Sequence, residues 1–152
     1  FGRVRFHHGK EMPAWWQADE PEIHSPEFSQ QVMSEFVRRH GRAPIKAVLL
    51  LQNGFPGIGN WMADEILWRA RIAPRRKAGE LSAKKMSALW RSVRFVSRAS
   101  LRTIGRDNSD PPQSWLLHER WKPGGKCPRH GTKLRRATVG GRTTAWCALC
   151  QK

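Results

Sequence analysis

Cys127-Pro-Arg-His130 and Cys147-Ala-Leu-Cys150 are two pairs of potential metal ligands near the C-terminal end of the chain. Two residues separate the members of each pair, so that one tight turn can direct both side chains at one ion. Four such donors complete the tetrahedral coordination that Zn²⁺ prefers. The chain has three cysteines, and a disulfide framework would leave one thiol over. We predict one Zn²⁺ bound by Cys127, His130, Cys147 and Cys150.

A β-hairpin is predicted between the two ligand pairs. Residues 133–139 and 142–146 flank Gly140-Gly141, and consecutive glycines are typical of a two-residue turn with positive φ angles. So short a hairpin has no core of its own, and metal binding would supply about 10 kcal/mol of its folding free energy. Arg142 would lie at the hairpin tip, as a solvated surface charge or as a phosphate contact.

The charge of the chain favours a polyanionic partner. Lys and Arg number 28 against 12 Asp and Glu, which gives a formal net charge of +16, and such a field attracts nucleic acid. Acids concentrate between residues 11 and 35, whereas residues 69–106 contain a dozen basic residues and a single acid. No apolar run approaches the roughly 20 residues needed to span a bilayer. We expect an intracellular protein, cytoplasmic or associated with the nucleoid, because no signal peptide is recognisable.

The predicted fold class is mainly α, with a helical domain followed by a small zinc-finger hairpin. A first helix is predicted from an N-cap at Ser25, with Phe28, Val32 and Phe36 at i, i+4 and i+8, and it ends before Gly41. Further helices are predicted at 44–51, at 60–70 and, capped by Ser82, up to residue 105. The predicted segments are 1–24 as the end of a preceding domain and linker, 25–106 as the helical domain, 107–122 as a connector and 123–152 as the finger.

The loop Gln52-Asn-Gly-Phe-Pro-Gly-Ile-Gly-Asn60 leads into the third helix. Its glycines let a ligand approach the backbone closely, and the first amide groups of a helix are unpaired and bind anions well. Asn60 either caps this helix or donates its side-chain amide to a phosphate. Asp64 and Glu65 are interpreted as surface acids, because neighbouring residues on a helix point in different directions.

These two motifs together resemble the formamidopyrimidine-DNA glycosylase and endonuclease VIII family. The run from Pro44 through Asn60 to Pro74 is similar to its helix-two-turn-helix domain, and Gly-Gly-Arg142-Thr-Thr-Ala-Trp-Cys-Ala-Leu-Cys150 is similar to its C-terminal zinc finger. Phe1-Gly2 resembles the end of the element that closes the N-terminal catalytic domain. The resemblance covers nearly the whole chain.

The resemblance implies base-excision repair, in which a glycosylase removes an oxidised base and then cleaves the abasic strand by β,δ-elimination. The family nucleophile is an N-terminal proline beside a catalytic glutamate, so this chain, which lacks both, is predicted to be inactive alone. The resemblance also implies DNA contacts, with damaged double-stranded DNA bound by a monomer. Phe1 would match the residue that wedges into the base stack when the target is flipped out. The implied phosphate contacts are Arg42, Lys46, Asn60 and Arg142, the last with a proton-donor role in δ-elimination.

Two departures and two alternatives accompany this interpretation. His130 stands where the common family finger has a cysteine, and residues 107–122 do not follow the family sequence, so the preferred lesion cannot be inferred.

A helix-hairpin-helix module is one alternative, although its catalytic members usually have a hairpin lysine and no lysine lies between Gln52 and Arg69. A basic ribosomal RNA-binding protein is the other, and the zinc finger argues against it.

Overall fold

The computed structural model describes His8, Glu11 and residues 23–152, so Phe1 and most of the predicted segment 1–24 lie outside the described residues. From residue 23 the chain forms a helical body and one C-terminal hairpin, which confirms the predicted fold class. A single 3₁₀ turn and a π-helical segment complete the body. The elements are α1 Gln30–Arg39, α2 Ile45–Leu49, α3 Asn60–Ala70, a 3₁₀ turn Ala78–Glu80, α4 Ala83–Ser100, a π-helical segment Leu101–Asp107, α5 Leu117–Arg120, β1 Arg135–Val139 and β2 Arg142–Trp146.

The start of α1 differs from the prediction. Ser29 is the N-cap, and its hydroxyl accepts a hydrogen bond from the Val32 amide at 3.2 Å. The predicted cap at Ser25 is wrong, because residues 23–27 form turns ahead of the helix. Val32 is 37% exposed. The buried side of the helix consists of Met33, Phe36 and Val37, spaced as one face of an α-helix.

Helices α2, α3 and α4 build the core as predicted. Ile45, Val48 and Leu49 of α2 are fully buried, and so are Ile66 and Leu67 of α3. Helix α4 begins at the predicted cap, where the Ser82 hydroxyl accepts the Lys85 amide at 3.3 Å. Its apolar side packs against α3 through four buried residues at helical spacing, which are Met86, Leu89, Val93 and Val96. Among the described residues, no helix is long and apolar enough to cross a membrane.

The hairpin forms a two-stranded antiparallel sheet with the predicted turn. Val139 pairs with Arg142, and Gly140 and Gly141 have φ angles of 59° and 73°. A side chain at Gly140 would also collide with Ala47 of α2, since a Cβ there would lie 2.8 Å from the Ala47 Cβ. Glycine is therefore needed at this position both for the turn and for the close approach of the hairpin tip to the helical body.

Candidate metal centre and nucleic-acid interface

The four predicted metal ligands lie together at the base of the hairpin. The ligand atoms of Cys127, His130, Cys147 and Cys150 all lie within 4.8 Å of one another. Nδ1 of His130 is 3.4 Å from the Cys127 Sγ and 3.8 Å from the Cys147 Sγ. Ligands of a tetrahedral Zn²⁺ with bonds of about 2.0 to 2.3 Å are separated by about 3.5 to 3.8 Å. None of the three cysteines forms a disulfide, so the donor set suits a tetrahedral metal ion.

The metal-ligand end of the finger is anchored to the C-terminal part of α3. The Trp68 indole Nε1–H donates to the Cys127 Sγ at 3.3 Å. The Arg129 guanidinium lies 4.0 Å from the centre of the Trp68 ring and donates to the Trp68 carbonyl at 2.9 Å. The Gln151 side chain bridges the Cys147 amide and the Ile72 carbonyl, at 2.8 and 3.0 Å. Such contacts around metal ligands orient them for coordination.

The hairpin tip is anchored to the N-terminal part of α3 through one carbonyl oxygen. The Thr143 carbonyl accepts hydrogen bonds from Asn60 Nδ2 at 3.0 Å, Lys46 Nζ at 3.2 Å and Arg120 Nη2 at 3.2 Å. Asn60 is the first residue of α3, and its side chain does not cap the helix. Because Thr143 directly follows Arg142, these donors fix the backbone from which the Arg142 side chain extends.

Asp64 is the anion at the centre of this junction. Its carboxylate accepts hydrogen bonds from Lys46 Nζ at 2.5 Å, from Arg120 Nε and Nη2 at 3.0 and 2.6 Å, and from the Ala145 amide at 3.1 Å. The side chains of Asp64 and Lys46 have no solvent exposure, and that of Arg120 is 1% exposed. Burial lowers the pKa of Lys46 from its ordinary value, and the negative charge of Asp64 opposes that shift. We call these three residues the buried ionic cluster.

The interpretation of Asp64 and Glu65 as surface acids is therefore wrong. Glu65 is fully buried as well, and its carboxylate pairs with Arg69 Nε at 2.8 Å. Burial raises the pKa of Glu65, while the charge of Arg69 and the backbone amides of Leu116 and Leu117 oppose the rise. Other parts of the protein cover α3 on several sides. Asp64 and Glu65 point in different directions, and each is nevertheless buried against neighbouring residues.

The predicted phosphate contacts occupy different environments. The side chains of Arg42 and Arg142 are exposed, and Asn60 is partly buried beside the hairpin. Lys46, by contrast, has its ammonium group enclosed by Asp64 and the Thr143 carbonyl. Asn60 and Arg142 are thus brought to one junction, and Phe1 lies outside the described residues.

The glycine loop ahead of α3 leaves open space at its surface. Gly57 has a φ angle of 79°, and a Cβ built on Gly57 or on Gly59 would meet no atom within 4 Å. The Gln52 side chain holds the loop by accepting from the Gly57 amide at 3.0 Å and donating to the Ile58 carbonyl at 3.1 Å. The helical ladder begins with the bond from the Ala63 amide to the Gly59 carbonyl. The amide groups just before it have no intrahelical partner, as at the start of any α-helix.

Sequence analysis did not single out Arg120 and Trp68, two residues that hold the finger against the helical body. Arg120 follows an aromatic and aliphatic run in the connector, and Trp68 follows a run of apolar residues in α3. A helix that is apolar on all sides is usually buried, and only Asp64 and Glu65 interrupt the apolar run 61–68. That pattern was the available signal that these acids are buried and need cationic partners.

Comparison with known proteins identifies the helical motif. A family model described as the formamidopyrimidine-DNA glycosylase H2TH domain matches residues 18–109. A formamidopyrimidine-DNA glycosylase of Roseiflexus sp. is 35% identical over 160 residues, which cover 100% of this chain and 58% of that protein. One of Arabidopsis thaliana is 42% identical over 108 residues, which cover 71% of this chain and 27% of that protein.

Solved structures give the same result. MutM (Fpg) from Thermus thermophilus matches with a TM-score of 0.73 and 31% identity, over 87% of this chain and 53% of that one. Lactococcus lactis Fpg in complex with DNA containing an abasic site matches with a TM-score of 0.76 and 28% identity, over 91% and 53%. The chain spans about half the length of these solved proteins. The matches favour the family resemblance over the helix-hairpin-helix and ribosomal alternatives, and the chain belongs to the formamidopyrimidine-DNA glycosylase family.

Proposed function

We propose that this chain is the DNA-binding C-terminal part of a base-excision-repair DNA glycosylase with abasic-site lyase activity, which acts on oxidised bases. The observation that carries the proposal is the junction of α3 with the hairpin tip, where Asn60 donates to the carbonyl of the residue next to Arg142. The partner is damaged double-stranded DNA, whose phosphates complement the net charge of +16. We infer that the protein acts as a monomer inside the cell, where this substrate lies.

The proposed phosphate site has three components. Arg142 supplies an exposed guanidinium at the hairpin tip, Asn60 supplies a side-chain amide, and the start of α3 supplies backbone amide groups behind the open glycine loop. Arg42 is proposed as a further contact, because it is exposed just before α2. In the intact protein Arg142 would also donate a proton during δ-elimination.

Lys46 contributes to this site through the hairpin. The resemblance implies a direct phosphate contact, but the Lys46 ammonium group is fully buried and paired with Asp64. A direct contact would require this pair to open and the hairpin to move. The arrangement favours a supporting role, in which Lys46 holds the Thr143 carbonyl and thereby positions Arg142.

We propose that the metal is a single Zn²⁺, bound by Cys127, His130, Cys147 and Cys150. Thiolate and imidazole ligands with this spacing suit Zn²⁺, and four protein ligands leave no open coordination position, as in a structural site. When bound, the ion would cross-link the two ends of the finger and so hold the hairpin in its folded form. The residues around it orient the ligands, with the Trp68 indole donating to one thiolate.

The proposed site is tested by measuring binding to an abasic duplex. Asn60→Ala and Arg142→Ala are each expected to weaken binding by about 1 to 3 kcal/mol, the range for hydrogen bonds to a charged group. Arg142→Ala should also reduce the slope of log affinity against log salt by about one unit. Arg135→Ala is the matched control, because Arg135 is exposed on the same hairpin at the end remote from the tip. Unchanged affinity in both site variants, with zinc and helicity retained, would show that this junction is only structural.

The chain by itself is proposed to bind DNA without catalysing base excision or strand cleavage. No activated amine with a partner carboxylate is recognisable in its sequence, and lyase chemistry needs such a nucleophile to form a Schiff base. Borohydride treatment of the chain with an abasic oligonucleotide should therefore give no covalent adduct above the level of a heat-denatured control. A strong adduct would show that a nucleophile lies within this chain.

A further inference from the structure

Helix α4 carries a line of exposed basic residues that the proposed phosphate site does not use. Arg91, Phe95, Arg98 and Arg102 occur at i, i+4, i+7 and i+11, and all four are exposed. Arg102 continues the line into the π-helical segment. At a rise of 1.5 Å per residue the line is about 16 Å long. We call Arg91, Arg98 and Arg102 the α4 arginine stripe, with Phe95 as an aromatic residue between them.

The stripe has no acidic counterpart among the described residues. No ion pair within 4.0 Å involves Arg91, Arg98 or Arg102 in the described part of the chain. The sequence from 81 to 106 contains seven basic residues and no acid. Surfaces that serve only solubility usually intersperse both signs. A line of one sign repels itself, and a polyanion relieves that repulsion.

The surroundings extend this positive surface along the helix. Arg94 is partly buried, with its guanidinium 5.4 Å from the centre of the Trp90 ring. It lines one shallow groove of about 340 Å³ together with Arg91, Arg98 and Arg102. On the other side of the stripe, Arg91 and Phe95 share a groove of about 300 Å³ with Arg69 and Arg129. Phe95 is held there by the Arg69 guanidinium, 4.5 Å from its ring centre.

The stripe points away from the proposed phosphate site. Leu89, Val93 and Val96 lie on the opposite side of α4 and are fully buried in the core shared with α3. Asn60 belongs to α3, which packs against that buried side. Arg69, the residue of α3 that contacts Phe95, lies nine residues after Asn60, which is about 14 Å along the helix. The stripe is therefore separate from the junction of α3 with the hairpin tip.

We propose that the α4 arginine stripe is a second DNA-binding surface, which contacts the phosphate backbone of a DNA segment other than the one held at Asn60 and Arg142. Duplex DNA carries one negative charge per about 1.7 Å of axis, so a line about 16 Å long faces several phosphates. The arginine side chains contact phosphate without reading sequence. Two such surfaces on one chain hold two DNA segments together and allow transfer between them. This inference rests on the proposed function, since the first segment is held at the proposed phosphate site.

The experiment measures whether one chain bridges two duplexes. A biotinylated abasic duplex is fixed to beads, the chain is added, and the capture of a second, fluorescent, undamaged duplex is recorded over a salt series. The stripe variant combines Arg91→Gln, Arg98→Gln and Arg102→Gln. The control variant combines Arg38→Gln, Arg39→Gln and Arg75→Gln, which removes the same charge from exposed positions on other elements. Binding of a single abasic duplex is measured separately by fluorescence anisotropy, and helicity by circular dichroism.

We expect the parent and control proteins to capture the second duplex and the stripe variant to lose this capture. Each lost phosphate contact reduces the slope of log affinity against log salt by about 0.9. Because the stripe variant removes three arginines, its slope for the second duplex should be smaller by about 2.7. Its affinity for the single abasic duplex should change no more than that of the control. Capture that persists in the stripe variant, as bridging by a protein dimer would produce, overturns the proposal, and so does equal loss in the control.

The two proposals fail in different ways. A parent protein that binds one duplex through Asn60 and Arg142, but never captures a second, refutes the stripe and leaves the phosphate site intact. A parent protein whose binding to the abasic duplex is unaffected by Asn60→Ala and Arg142→Ala refutes the proposed phosphate site. Loss of single-duplex binding in the stripe variant alone would show that the stripe is part of the first site, which also overturns the proposal.

Discussion

Replacing Asp64 with alanine would leave Lys46 and Arg120 as two buried cations without their shared anion. The Asp64 carboxylate accepts four hydrogen bonds, three of them from these cations and one from the Ala145 amide of the hairpin. Removing one partner of a buried ion pair costs about 3 to 5 kcal/mol, because the remaining charge is neither solvated nor paired. We expect Asp64→Ala to lower the free energy of unfolding by that amount and to weaken DNA binding, since the hairpin tip loses its anchor.

Urea denaturation followed by circular dichroism measures the first effect, and fluorescence anisotropy with an abasic duplex measures the second. Glu119→Ala is the matched control, because Glu119 also pairs with a lysine, Lys122 at 2.6 Å, but that lysine is 60% exposed. Exposed pairs contribute about 0 to 1 kcal/mol. Combining Asp64→Ala with Lys46→Met should cost less than the sum of the single changes, because the second change removes one of the unpaired cations. A loss of stability by Asp64→Ala no larger than that of Glu119→Ala would refute the reasoning.

The remaining predictions concern the metal and Glu65. Chelation of the metal should unfold the finger and weaken binding to the abasic duplex at least as much as Arg142→Ala, because Arg142 depends on the hairpin. Elemental analysis should find one zinc per chain, and adding zinc should restore binding, whereas full affinity of a zinc-free chain would contradict the prediction. Burial raises the pKa of Glu65 above its ordinary value of 4.5, so the folded state holds this proton more tightly than the unfolded state. The free energy of unfolding should therefore fall as pH rises from about 4.5 through the raised pKa, and Glu65→Gln should remove this fall. Urea titrations from pH 4 to 8 test it, and an identical pH profile in the variant would show that another group is responsible.

Local signals were sufficient for α2, α3, the start of α4, the hairpin and the metal ligands. The Ser82 cap, the apolar spacing of α4 and the two glycines of the hairpin turn are each encoded within a few residues. The cysteine and histidine spacing likewise brings the four ligands together. Ser25 and Ser29 are both possible N-caps of α1, so the local signal was ambiguous, and in the structure Ser29 is the cap.

The junction between the finger and the helical body could not be derived in this way. Asp64 is bound by Lys46, 18 residues away in the sequence, and by Arg120, 56 residues away. The spacing of apolar residues does not indicate which distant cation will contact a buried carboxylate. The resemblance implied a phosphate contact for Lys46, but it did not indicate that Lys46 is buried, because this burial depends on the docking of the hairpin. Asn60 was correctly placed at the start of a helix, whereas its bond to the Thr143 carbonyl required the assembled structure.

The finger contacts α3 at both ends of that helix. The metal-ligand end lies against Trp68, and the hairpin end lies against Asn60 and Asp64, so that about 12 Å of helix is spanned. Because the finger is attached at two distant points, it cannot unfold without exposing the buried charges of the helical body. Finger and body therefore form one cooperative unit, and binding of the proposed metal would stabilise both. Removing the proposed metal would then destabilise the helical domain as well as the finger.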